Sequence, residues 1–126
     1  MPLYEDLIGK PFADLGRGPD AYDCWGLVIE VGQRMGIEVP DYGVSHQNEA
    51  RVNGTFRAHA TDYERVNQPK VGDIAVWKSM AGELHFGIVI DGNHVLHAGP
   101  EVGVRKNRLD HPIVSQLIEG FYRCKT

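Results

Sequence analysis

The sequence predicts an α+β domain in which one early helix packs on an antiparallel sheet. Three observations carry that expectation. Apolar residues recur with helical spacing just after Cys24, whereas from Ile74 onward short apolar runs alternate with turns rich in Gly, Asp and Asn. The pair Asp91-Gly92 sits between two such runs, the signature of a hairpin. The chain has 126 residues, 42% hydrophobic and 24% charged, which is the make-up of an ordinary globular domain. A chain of this size buries roughly two-thirds of its unfolded surface without a disulfide or metal staple, so a single domain over residues 1–126 is expected.

The elements follow in order. Gly9 to Asp23 is punctuated by Pro11, Gly16, Gly18 and Pro19 and reads as loop. Leu27, Val28, Val31 and Met35 mark one buried face of a helix over 24–35. Asp23 is placed to cap its start and Gly36 to end it. Residues 41–66 are polar; Ser45 to Ala60 has helical potential, but Asn53-Gly54 is expected to break it. A turn over Pro69 to Asp73 leads into strand Ile74–Trp77, followed by His85–Ile90, the turn at Asp91, and His94–Ala98. Val102–Val104 and Ile118–Arg123 supply two more short strands.

Composition excludes several classes of function. Thirteen basic residues against 17 acidic ones give a net charge of −4, which argues against broad binding to a phosphate backbone, so no nucleic-acid partner is expected. No run approaches the ~18 apolar residues that span a bilayer, so membrane insertion is not expected. The first residues, Met1 to Asp6, have neither the basic region nor the apolar region of a secretory signal.

The two cysteines are unequal. Cys24 opens the predicted helix, where unpaired N–H groups and the helix dipole favour thiolate over thiol. The same N–H groups suit an oxyanion. The alternative is that Cys24 serves as a small buried hydrophobe. Cys124 lies near the end of the chain and reads as structurally incidental.

A thiol nucleophile needs an imidazole to take its proton, and that imidazole needs a polar partner on its other nitrogen. Of six histidines, His85 and His97 fall on the predicted hairpin, while His46, His59, His94 and His111 read as surface or satisfied core residues. Their meeting depends on register. A two-residue Asp91-Gly92 turn sets His85 opposite Ala98 and sends His97 to the other face. A three-residue loop, with Asn93 in the left-handed region, pairs Ile90 with His94 and brings His97 opposite Gly87, diagonal to His85. The three-residue loop is the expected one. A zinc site built from Cys24, His85 and His97 lacks a local ligand pair at the usual spacing, so neither metal nor cofactor is expected.

These residues fall into motifs that resemble the NlpC-like cell-wall cysteine peptidases, a branch of the papain-like superfamily. Asp23-Cys24-Trp25-Gly26-Leu27-Val28 is similar to the nucleophile motif, and Gly36-Ile37-Glu38-Val39-Pro40 to the segment ending its helix. Lys70 to Trp77 resembles the turn and strand before the base, His85 to Ile90 the base motif, and Val95-Leu96-His97-Ala98 the third-residue motif. The likeness spans about residues 7–123. It implies a papain-like fold, with Cys24 as nucleophile, His85 as general base and acid, and His97 as the orienting residue. It implies a bacterial cell-wall (peptidoglycan) stem peptide as substrate, in many relatives cut between D-γ-glutamate and a diamino acid.

Two departures bear on substrate choice: Trp25 stands where many members carry Ser, and Phe12 where many carry Tyr. Tyr22 is a candidate to restore the missing phenol, and Phe12, Tyr22, Asp23 and Trp25 are the expected substrate-binding residues; the alternative for Tyr22 and Trp25 is core or loop packing, the commoner role of a large aromatic. Cys24-Trp25-Gly26, the Gly16 to Asp20 loop and Glu119 to Arg123 resemble phage or prophage tail-associated members. That implies a protein made in the bacterial cytoplasm and carried to the wall on a tail, with tail-tip proteins as partners. A non-catalytic tail assembly module, or a Cys-His amidase or acyltransferase, is the alternative reading.

Overall fold

The computed structural model describes residues 2–79 and 83–125. Among the described residues three α-helices, α1 (Cys24–Arg34), α2 (Glu49–His59) and α3 (Pro112–Leu117), accompany six strands. These are β1 (Tyr63–Val66), β2 (Ile74–Lys78), β3 (Leu84–Asp91), β4 (His94–Gly99), β5 (Gly103–Arg108) and β6 (Ile118–Cys124). They form a single antiparallel sheet in the order β1-β6-β2-β3-β4-β5. No helix among the described residues is long and apolar enough to cross a membrane.

The α+β expectation holds, and α1 shows why. Leu27, Val28 and Val31 are fully buried in one core with Ile74, Ile88, Leu96 and Ala98 of the sheet. Asp23 caps the helix by accepting from the Gly26 amide at 2.6 Å. At the other end Gly36 takes φ +81, the Gly36 amide donates to Gln33 O and the Ile37 amide to Gly32 O. This is the two-bond stop that a left-handed residue permits. A smaller core of Ala75, Trp77 and Val95 lies under Leu117, Ile118 and Phe121.

Several expectations are corrected. Asn53-Gly54 does not break α2, which runs through it from an Asn48 cap. A Cβ at Gly54 would meet nothing, so this glycine faces open space and costs only its entropy, about 1 kcal/mol. Phe56 of α2 packs against Phe86 and Tyr122 and holds the helix to the sheet, although none of its residues is fully buried. Strand β1 and the short α3 had no periodic signal and were not expected. Val102 falls outside the next strand, which instead continues to Arg108. The loop over 9–23 is confirmed apart from isolated bridges joining Tyr22 to Phe12 and to Arg17.

The hairpin closes differently from either predicted turn. Asp91, not Ile90, faces His94, Gly92 and Asn93 form the turn, and Ile90 is left as a bulge between Val89 and Asp91. Asn93 is not left-handed, and the Asp91 carboxylate accepts from the Asn93 amide at 2.8 Å to hold the turn. The bulge supplies the one-residue offset assigned to the loop, so His97 does face Gly87.

Asp73, 1% exposed, ties the turn before β2 to the end of the chain. It accepts from the Lys70 amide at 2.7 Å and from both arms of the Arg123 guanidinium at 2.8 Å. Replacing it by Ala is expected to cost about 1.5–3 kcal/mol, read as a lower urea midpoint at unchanged slope.

Candidate active site

The site forms where the start of α1 meets β3 and β4. The Asp23 carboxylate that caps α1 also accepts from Arg17 Nη1 at 2.8 Å, while Arg17 Nε and Nη2 fork onto Asp41 at 2.9 Å each. Two carboxylates hold that guanidinium firmly protonated. One arginine therefore locks the early loop and the segment after α1 onto the helix start.

Cys24 is buried, 8% exposed. Its burial pushes the thiol up to about 11, with the Asp23 carboxylate pushing the same way. The amides of Phe86, Trp25 and Cys24 itself pull it down. The expected depression by the helix start is thus real in origin and too small in size: loss of water outweighs it, and the resting group is a thiol.

His85 stands opposite Trp77 in the β2–β3 pairing, and His97 opposite Gly87 in β3–β4. His85 Nε2 lies 3.2 Å from His97 Nδ1, with the rings near perpendicular at 87°. The Trp77 indole contacts both rings, at centroid distances of 5.4 and 5.5 Å. Gly87 makes room for it, since a Cβ there would come within 2.7 Å of the indole. Burial lowers His85 to about 4, with His97 and His46 adding smaller repulsions, and burial also lowers His97. Both imidazoles are therefore neutral near pH 7. On its far side His97 Nε2 lies 2.6 Å from Asn107 Oδ1 on β5.

Two cavities meet at Cys24. One, of about 220 Å³, is lined by Cys24 and His85 together with Phe12, His46, Glu49 and Glu83. The other, of about 90 Å³, runs under α2 and is mostly aromatic and aliphatic, with Trp25, Tyr42, Phe56 and Phe86 in its wall. The Tyr42 and Tyr63 hydroxyls join at 2.9 Å, and both rings line this second cavity.

The residues expected to bind substrate separate. Phe12 lines the larger cavity, edge-on to His46 at 4.8 Å, and Trp25 lines the smaller, its indole N–H donating to Pro40 O at 2.8 Å. Asp23 touches the smaller cavity but is 2% exposed and committed to the helix cap and Arg17. Tyr22 takes the packing alternative and not the expected substrate-binding role: it is 1% exposed, packed in the main core, and lines neither cavity. Its ring and hydroxyl lie against Gly18 in the early loop, away from both cavities.

His46, by sequence one of the surface or satisfied core histidines, lines both cavities and bonds Asp14 at 2.8 Å. Nothing in its local sequence marks it, because a loop carries it there. Asn107 and Trp77 were also missed; once the register is known, their positions beside His97 and His85 follow from strand pairing. Among the described residues no group of three His, Cys, Asp or Glu side chains is arranged to hold a metal ion.

A buried thiol thus lies beside two paired strands, β3 and β4, that present linked, neutral imidazoles on an α1-over-antiparallel-sheet scaffold. The chain belongs to the NlpC/P60 family, whose profile matches residues 9–123. It is similar to a probable endopeptidase p60 of Listeria innocua, 26% identical over 116 residues, covering 92% of this chain and 22% of that protein. A probable endopeptidase of Mycobacterium bovis is 32% identical over 91 residues, 72% of this chain and 20% of the relative. The chain thus spans about a fifth of the length of these relatives. Among solved structures, a lipoprotein-like NLP/P60 protein of Staphylococcus aureus superposes with a TM-score of 0.69 at 20% identity, over 98% of this chain and 39% of that one. The NlpC/p60 domain of the peptidoglycan hydrolase SagA superposes at 0.62 and 24% identity, over 98% and 93%. These superpositions establish the NlpC/P60 fold.

The raised thiol gives a direct test. Alkylation of Cys24 by iodoacetamide, followed by mass spectrometry of the labelled peptide, should keep accelerating as pH rises toward about 11. A rate already saturated at neutral pH would show that the helix start wins over burial.

Proposed function

We propose that this chain hydrolyses peptide bonds in the stem peptides of bacterial peptidoglycan, with Cys24 as nucleophile, His85 as base and acid, and His97 orienting His85. The observation that carries this reading is the 3.2 Å contact between His85 and His97, made on the wall of a cavity that Cys24 also lines, in an NlpC/P60 chain. Relatives named as probable endopeptidases support the reaction class.

The chemistry follows from the neutral resting pair. His85 takes the Cys24 proton as the sulfur attacks the scissile carbonyl, so the thiolate exists only while the carbon–sulfur bond forms. Amides at the start of α1 hold the oxyanion. The imidazolium then gives its proton to the departing amine as the carbon–nitrogen bond breaks. Water, deprotonated by His85, resolves the thioester and regenerates the thiol. The amine leaves on the side of the larger cavity, where His85 stands, and the smaller aromatic cavity lies beside Cys24 on the side without His85. The bond after D-γ-glutamate is the one that the resemblance implies. Delivery to the wall on a phage or prophage tail is part of the same proposal, supported by the likeness of Cys24-Trp25-Gly26 and Glu119 to Arg123 to tail-associated members.

Purified muropeptides test the mechanism. Cys24→Ala should lower cleavage on the order of 10³-fold or more, and His85→Ala similarly, with the fold intact by circular dichroism. Cleavage by Cys24→Ala at the parental rate would overturn the assignment, and an inert parent protein would favour a tail assembly module.

The pH profile is a second test. A base that must be neutral, with its folded value near 4, places the acid limb of kcat/KM there and not near the ordinary imidazole value. The alkaline limb belongs to Cys24 near 11, so activity should be flat across the neutral range.

A further inference from the structure

We propose that Asn107 is a positioning residue that sets the proton on both imidazoles, and so makes Nδ1 of His85 the nitrogen that receives the Cys24 proton. This rests on the catalytic reading above and extends it to a residue outside the triad.

Hydrogen-bond polarity carries the argument. Asn107 presents Oδ1 to His97 Nε2 at 2.6 Å. An amide oxygen has lone pairs and no hydrogen, so His97 Nε2 must carry the proton and donate. A neutral imidazole has one N–H, which leaves His97 Nδ1 bare. That bare nitrogen is 3.2 Å from His85 Nε2, so His85 Nε2 must carry a proton in turn. His85 is then left with Nδ1 as its one basic nitrogen. Each link forces the next because both rings are neutral, as their burial requires.

The opposite chain shows what is at stake. A donor facing His97 Nε2 would place the His97 proton on Nδ1, make His85 Nε2 the acceptor and put the His85 proton on Nδ1. The nitrogen left for the thiol would already be occupied, and the ring could not act as base without first changing tautomer. A triad ending at His97 leaves these two chains open, because an imidazole both donates and accepts. An amide oxygen on β5 closes the choice. The position is set by the sheet: Asn107 pairs with Val95 and Arg105 with His97, so Asn107 lies two residues along from the His97 pair on the same face.

Two measurements test this. Imidazole ¹⁵N chemical shifts of the whole chain at pH 7.5 should show His85 with a protonated Nε2 and a bare Nδ1, and His97 likewise. Asn107→Leu should move a substantial share of His85 to the Nδ1-protonated form. In muropeptide assays the same variant should lose roughly tenfold or more in kcat with KM little changed, since the defect lies in proton transfer. Asn107→Asp keeps an acceptor of the same shape and should restore kcat to within about threefold of the parent at pH 8.5. A parent His85 protonated on Nδ1, or tautomers unchanged in Asn107→Leu, would overturn the proposal. Loss of activity in Asn107→Asp equal to that in Asn107→Leu, with both folded, would do so as well. The ¹⁵N readout needs no turnover: the predicted tautomers in a protein that cleaves nothing would uphold the role of Asn107 and count against the peptidase reading.

Discussion

The bulge at Ile90 decides whether this protein has a site at all. Side chains on a strand alternate between faces, so a one-residue slip between β3 and β4 would turn His97 away from His85. The unpaired Ile90 supplies the offset that sets His97 against Gly87 and within 3.2 Å of His85. Its consequences spread outward. Gly87 leaves space for the Trp77 indole beneath both rings, and the β4–β5 pairing brings Asn107 to the far nitrogen of His97. Asp91 holds the turn at one end, so the offset is a fixed feature of the hairpin.

Burial is the second constraint, and it reverses the electrostatic expectation for Cys24. A helix start favours thiolate through partial charges on a few amides. Removing Cys24 from water disfavours it more strongly, and the adjoining Asp23 carboxylate pushes the same way. The same burial lowers His85. Thiol and imidazole therefore rest neutral.

The surroundings divide the labour. Arg17 ties two loops to the helix cap through Asp23 and Asp41, fixing the start of α1. Helix α2 rests on the sheet through Phe56 and roofs the aromatic cavity, while the larger cavity opens on polar groups from loops, α2 and β3. Cys24 stands between two chemically different compartments.

The α1 helix, its Asp23 and Gly36 caps and most of the sheet were legible because their signals are local: a 3.6-residue period, a capping side chain, a turn pair. The order of motifs likewise singled out Cys24, His85 and His97. Strand β1, α3 and the continuity of α2 through Gly54 were not legible, since packing against β6, against Trp77's core and beneath Phe56 stabilises them rather than propensity. The sequence by itself determined which residues hold reactive groups and that a hairpin would carry two histidines. Only the tertiary structure decided the Ile90 bulge, the burial of Tyr22, the arrival of His46 and Asn107, and the rise of the Cys24 thiol. Each of these depends on distance and exclusion of water between segments far apart in the chain, quantities that local spacing does not encode.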